Sequence, residues 1–294
     1  MIKLKNVVKK FEDQLIHQDI NLEFEQGKLT TLLGANGSGK STLLKMIAGI
    51  EHPSEGSITI DGESVHEFNF SKKHEIFFIH ENLEIHVPMN MKDYIIIMKE
   101  SMPNFDLDLF YKIAEDRKIS LDKNFFEYSR GQKMQMTLAI GIASNSPILL
   151  IDEVTSVIDV YGRKYFLDLL DKYVSTGKTV IITTNIINEL EFYTNRLIIL
   201  KNNIVTLDKD VGDIPELFKK IRRPKNTNHE VFADENCVWA GVNSDHSVSY
   251  IIPLKDYEKY NVPDEFHDKR KSTLEDVFVY YFTEKSEEEV ENAA

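Results

Sequence analysis

Gly34-Ala35-Asn36-Gly37-Ser38-Gly39-Lys40-Ser41 lies directly after an apolar run, Leu29 to Leu33, and directly before a helix-like run, Ser41 to Gly49. Gly34, Gly37 and Gly39 free the backbone from Cβ clashes, so that successive N–H groups can turn inward. A helix start immediately afterwards adds its partial positive charge to the same spot. The spacing G-x-x-x-x-G-K-S in this context predicts a strand, an anion-cradling loop and a helix, and hence nucleotide binding. Lys40 is placed to reach the β- and γ-phosphates, and the Ser41 hydroxyl to ligate Mg²⁺. Ala35, Asn36, Ser38 and Thr42 complete the expected nucleotide contact.

Such a loop needs an acid at a neighbouring strand end. Ile148-Leu149-Leu150-Ile151-Asp152-Glu153 supplies it: four apolar residues bury a strand and leave two carboxylates at its C-terminal edge, where open α/β sheets bind ligands. Asp152 is the expected Mg²⁺ ligand. Glu153 is the expected base that orients and deprotonates the attacking water. Gly27 to Leu33, Pro147 to Ile151 and Thr179 to Thr184 are continuously apolar, as strands covered on both faces are. Between the last two, Phe166, Leu169, Leu170, Tyr173 and Val174 mark one helix face, ended by Thr176-Gly177. Strand, helix, strand implies a right-handed crossover and a mainly parallel α/β sheet.

Residues 89–146 read as a helical insertion broken at Met102-Pro103-Asn104. After Thr206 the character changes: PELFKKIRRPK reads as a basic helix, strand-like pieces lie around Val231 and Val248 to Pro253, Asn243 to His246 reads as a hairpin turn, and the tail is acidic. The division expected is therefore 1–205 and 206–294. Lys+Arg 35 against Asp+Glu 48 gives 35 − 48 = −13 over 294 residues, which argues against nucleic acid as a partner. The single cysteine, Cys237, excludes an intrachain disulfide framework and fits a reducing compartment. No run approaches a membrane span, and MIKLKNVVKKF does not read as a secretory signal. His80, His86 and His246 lack metal-ligand spacing and are expected to be ordinary polar residues.

In order and spacing, these motifs resemble the ATPase subunit of ABC transporters over residues 1 to about 205. Tyr128-Ser129-Arg130-Gly131-Gln132 carries the resemblance most specifically: it is similar to the family's signature, usually Leu-Ser-Gly-Gly-Gln, before a helix expected over Lys133 to Ala143. The resemblance implies a P-loop nucleotide-hydrolase fold with a RecA-like parallel sheet, a helical signature subdomain and a small C-terminal α+β extension. It implies a head-to-tail dimer with a second ABC ATPase, in which Ser129, Gly131 and Gln132 touch ATP bound by the partner. It places Phe11 against adenine and Asp159 in the loop that crosses the dimer interface. It makes Glu81 a sensor of the γ-phosphate and Mg²⁺ that touches a transmembrane permease subunit on a separate chain. The implied location is the cytoplasmic face of the membrane. Leu274-Glu275-Asp276-Val277-Phe278 resembles a short segment of bacterial exporter ATPases, which favours export of a hydrophobic compound, a lipid or an amphipathic or antimicrobial peptide.

This sequence departs from the family at several of these positions. Glu81 stands for a usual Gln, Tyr128 for Leu, Arg130 for Gly and Val154 for Pro. Asn185 stands where the family places a His that steadies the attacking water. Asn cannot carry a positive charge, so two outcomes stay open: hydrolysis slowed at this site, or a harmless polar strand end because Glu153 does the essential work. Alternatives to a transporter motor are an ATP-gated regulator with weak hydrolysis, or a soluble ABC ATPase acting on DNA or ribosomes.

Overall fold

A computed structural model describes residues 1–68, 72–80, 89–153, 157–184, 190–224, 238–242, 247–260, 266, 268 and 272–282. The chain forms two compact units, Met1–Asp208 and Lys209–Ala294. In order, the first holds β1 (Ile2–Phe11), β2 (Gln14–Phe24), β3 (Leu29–Gly34), α1 (Lys40–Ile47), β4 (Glu55–Ile60), β5 (Glu63–Ser64) and β6 (Ile76–His80). It continues with α2 (Met91–Ser101), α3 (Leu107–Asp116), α4 (Arg130–Ala143), β7 (Ile148–Asp152), α5 (Val160–Ser175), β8 (Thr179–Thr183), β9 (Arg196–Lys201) and β10 (Ile204–Asp210). β10 runs through the expected boundary at 205/206.

The central sheet has the order β10-β9-β3-β8-β7-β6. β3 pairs in parallel with β8 and β9, and β7 with β6 and β8. Every residue of β3, β7 and β8 is buried, the burial that continuously apolar strands require. The pleat divides their side chains between two cores. Leu149, Ile151, Val180 and Ile182 pack with residues of α2 to α5, including Ile95, Phe110, Met136 and Phe166. Leu32, Ile148, Leu150 and Ile181 pack on the other face with Leu43, Leu44 and Ile47 of α1.

That second core also takes Ile2, Leu4, Val7, Ile20 and Ile58 from a separate sheet of order β2-β1-β4-β5, whose pairings are antiparallel. This antiparallel layer was not legible in the period of the sequence. Register shifts between Leu4 and Val7, with Asn6 at φ 48°, interrupt the alternation of β1. The helices begin with side-chain caps: Asn90 accepts from the Asp93 amide, Asp106 from Leu109 and Asp159 from Gly162. α2 ends at Ser101, with Met102 as its C-cap ahead of Pro103.

The second unit holds β11 (Phe218–Pro224), β12 (Val238–Val242), β13 (Ser247–Pro253), α6 (Leu254–Tyr257) and α7 (Leu274–Phe282), with an antiparallel sheet of order β11-β13-β12. The basic helix expected over PELFKKIRRPK is instead a 3-10 turn, Val211–Glu216, followed by β11. β11 pairs along its length with β13; Phe218 and Ile221 are buried, and Lys220 forms a 2.6 Å ion pair with buried Asp276. Thr273 and Asp276 exchange capping bonds at the start of α7, so the Leu274 to Phe278 motif marks a helix start in this unit. The strand expected around Val231, the turn at 243–246 and Cys237 lie outside the described residues.

Candidate nucleotide site

β3 delivers the chain to the glycine-rich loop at the C-terminal edge of the parallel sheet, and α1 begins at Lys40. Two glycines there are sterically required. A Cβ on Gly34 would lie 2.2 Å from Ser38 Oγ and 2.8 Å from the Leu200 carbonyl oxygen. Gly39 caps α1 at φ 93°, and its Cβ would lie 2.5 Å from a His17 ring carbon. Ala35, Asn36 and Gly37 form the exposed rim of the loop, while Ser41 and Thr42 are half-buried in the first turn of α1. Ser38 Oγ is buried without a hydrogen-bond partner among the described residues.

Lys40 is 4% exposed. Its ammonium donates to the Gly34 carbonyl at 2.8 Å and the Ala35 carbonyl at 3.2 Å, and lies 3.4 Å from Glu153 Oε1. The loop cation and the strand-end acid predicted from separate motifs thus meet. Asp152, the last residue of β7, is buried, and its Oδ1 accepts from the Thr183 hydroxyl at 2.7 Å. Glu153 sits at φ 51°, a conformation that costs a β-carbon residue about 1–3 kcal/mol and persists where the surroundings impose it. Here its amide donates to both Thr183 Oγ1, at 3.0 Å, and the Thr183 carbonyl, at 3.2 Å.

Thr183 and His17 were missed in the sequence. Thr183 registers opposite Asp152 across the parallel pair β7 and β8, a relationship between distant residues that no local pattern reveals. His17, fully buried on β2, lies 3.0 Å through Nε2 from the Gly39 carbonyl, so Nε2 carries the proton and donates. Its Nδ1 has no partner among the described residues. Burial holds its pKa below the ordinary value of 6.5, against the opposing effect of the Gly39 bond.

The signature segment is a helix start. α4 begins at Arg130, not Lys133, because Ser129 is its N-cap: the Gln132 amide donates to Ser129 Oγ, and the Ser129 amide to Gln132 Oε1. Gly131 lies in the first turn, where a Cβ would stand 3.0 Å from the Val157 carbonyl oxygen. Tyr128, in place of the usual Leu, is buried, with its hydroxyl donating to the Ser120 carbonyl at 2.5 Å; burial first, with nearby Glu127 and Asp122, raises its pKa to about 12.

Phe11 ends β1 and is 43% exposed, with the Lys9 ammonium 4.3 Å from its ring centroid. Asp159 caps α5 through Gly162, and that bond first, with Arg117 nearby, holds its carboxyl below the ordinary range. Glu81, Asn185, His86 and His246 lie outside the described residues. His80 ends β6 beside Asp152, its pKa lowered chiefly by burial.

Residues 17–156 match the protein family described as ABC transporter. Over 287 residues the chain is 27% identical to the ABC transporter ATP-binding protein YtrB of Bacillus subtilis, covering 96% of this chain and 98% of that one. It is 32% identical over 235 residues to the energy-coupling factor transporter ATP-binding protein EcfA1 of Mycoplasma mobile, covering 76% and 83%. Among solved structures, the dimeric post-hydrolysis state of the ATP-binding cassette MJ0796 bound to ADP and Pi matches with a TM-score of 0.62 and 27% identity, over 72% of this chain and 99% of that one. Similar proteins include both a methionine import ATP-binding protein of Clostridioides difficile and a lantibiotic transport ATP-binding protein of Streptococcus pyogenes. Among the described residues, no helix is long and apolar enough to cross a membrane. With its phosphate loop, paired strand-end acids and capped signature helix, the chain belongs to the ABC transporter ATP-binding subunits, a family of ATPases.

Proposed function

We propose that this chain is an ATP-hydrolysing motor subunit of a membrane exporter, acting on the cytoplasmic face beneath a permease on a separate chain. The observation that carries the reading is the convergence of Lys40, Glu153 and Asp152 on one sheet edge, with Thr183 bonded to the Asp152 carboxylate and the Glu153 amide. ATP phosphates enter the loop of Gly34 to Ser41, where backbone N–H groups and Lys40 receive their charge. Lys40 then exchanges Glu153 for phosphate oxygens. Glu153, 31% exposed, is left to accept a proton from the attacking water. The Ser41 hydroxyl and the buried Asp152 carboxylate are hard oxygen donors suited to Mg²⁺, which when bound neutralises phosphate charge.

In this reading Phe11 stacks on adenine, and Ser129, Gly131 and Gln132 meet ATP held by a second ATPase subunit, identical or different. Glu81 senses the γ-phosphate. Asn185 in place of His slows hydrolysis at this site, and a partner that borrows the signature helix compensates. Export is favoured by the Leu274 to Phe278 segment and by the acid at position 81, and the cargo class is a hydrophobic compound, lipid or amphipathic peptide. The test is purification of the tagged full chain from native membranes. Recovery with a spanning protein and an ABC ATPase supports the reading, and recovery with ribosomes or DNA alone overturns it.

A further inference from the structure

Lys9 stands on β1 two residues before Phe11 and is 7% exposed. Its ammonium donates to Glu51 Oε2 at 3.0 Å and to the His52 carbonyl at 2.8 Å, and lies 4.3 Å from the centroid of the Phe11 ring. A lysine ammonium carries three protons. Two go to these oxygens, and the third is left for the ring face, whose quadrupole attracts the charge.

Both oxygens belong to the segment that follows α1. The Gly49 amide donates to the Met46 carbonyl at 3.1 Å, and the Ile50 and Glu51 amides to the Lys45 carbonyl at 2.9 and 3.2 Å, so residues 49–51 are bonded to the last turn of the helix. Ser54 closes the other side. Its amide donates to the Val8 carbonyl at 2.7 Å, and its hydroxyl accepts from the Lys10 amide at 3.0 Å. Lys9 is thus fixed to the C-terminal end of the helix whose N-terminus carries the phosphate loop.

We infer that Lys9 is a positioning residue for the nucleobase: its ammonium over one face of the Phe11 ring sets that platform at a fixed place relative to α1. The base and the phosphates of one nucleotide are then located from the two ends of a single helix. This rests on the proposed stacking of adenine on Phe11. With the cation on the first face and Phe11 43% exposed, the second face is the one that takes a purine by stacking.

The test uses the full chain with ATP and inorganic triphosphate. Lys9→Gln keeps donors for the two oxygens and lacks the charge. It should weaken ATP binding about fourfold, the scale of one cation–π contact, and leave the binding of inorganic triphosphate, which has no base, unchanged. Lys9→Arg restores a cation and should recover most of the loss. In a Phe11→Ala background, Lys9→Gln should weaken ATP binding no further, because the ring through which it acts is gone. Lys10→Gln removes the same charge from the exposed neighbour and should bind ATP as the parent does. In spectra of protein carrying ring-labelled phenylalanine, Lys9→Gln should shift the Phe11 resonance, assigned by its absence in Phe11→Ala. If Lys9→Gln does not fold, Lys9→Met answers the same question. Equal losses for ATP and triphosphate, an undiminished loss in the Phe11→Ala background, or an equal loss in Lys10→Gln overturns the positioning role. If Phe11→Ala binds ATP as tightly as the parent, the adenine reading fails. The Phe11 resonance still decides the contact, and an unmoved resonance overturns it.

Discussion

Lys40 Nζ lies 3.4 Å from Glu153 Oε1, so the cation proposed to receive phosphate is held by the acid proposed to activate water. ATP has to displace that acid, and a carboxylate near the phosphates opposes it. Glu153→Gln removes the charge and keeps the shape. It should bind ATP about tenfold more tightly, or about 1.4 kcal/mol, as read by titration with a fluorescent ATP analogue. Weaker binding would contradict the displacement.

His17 supports the loop from beneath, and its lowered pKa has a definite sign. The folded state keeps the ring neutral while the unfolded chain takes up a proton below about pH 6.5. Stability from this group is fully present above that value and is lost as pH falls toward the folded pKa. His17→Gln retains a donor toward the Gly39 carbonyl and cannot titrate. Denaturant unfolding at pH 7.5 and 5.5 should show the gap in stability between parent and variant shrinking on acidification. Because His66 and His80 are also shifted downward, the difference between the two proteins is the quantity to read. Parallel curves would contradict the assignment.

Thr183→Val keeps volume and removes the hydroxyl shared by Asp152 and the Glu153 amide. The Glu153 amide keeps the Thr183 carbonyl, but the buried Asp152 carboxylate loses its donor, which should cost about 1–3 kcal/mol in unfolding free energy. Turnover should fall about tenfold in a steady-state phosphate-release assay, with ATP affinity changed less than threefold.

Phe11→Ala should weaken ATP binding about tenfold, the scale of one base–aromatic stack. Inorganic triphosphate, which has no base, should bind the variant and parent equally in competition titrations. Equal losses for both would mean that Phe11 supports the loop instead of adenine.

The parallel core was legible because burial on both faces leaves a direct trace: Leu149 to Ile151 and Val180 to Ile182 are continuously apolar since both pleat faces meet a core. The α4 start carries a readable signal, the Ser129-x-x-Gln132 capping box. β11 was misread because Lys219, Lys220, Arg222 and Arg223 suggest a solvated helix face, whereas Lys220 is matched by Asp276, fifty-six residues on.

The site divides the same way. Gly34 to Ser41 and Asp152-Glu153 announce themselves because their chemistry depends on local backbone and strand ends. His17 and Thr183 do not, since each acts on a residue brought near only by the fold: Gly39 and Asp152.

The most direct measurement is single-turnover hydrolysis of Mg-ATP by the full chain and by Glu153→Gln, with excess protein and rapid quench. The parent should convert bound ATP to ADP, and the variant should hold ATP with a rate at least about a hundredfold lower, the scale of a lost general base. Equal rates in the two proteins would contradict the account of the site.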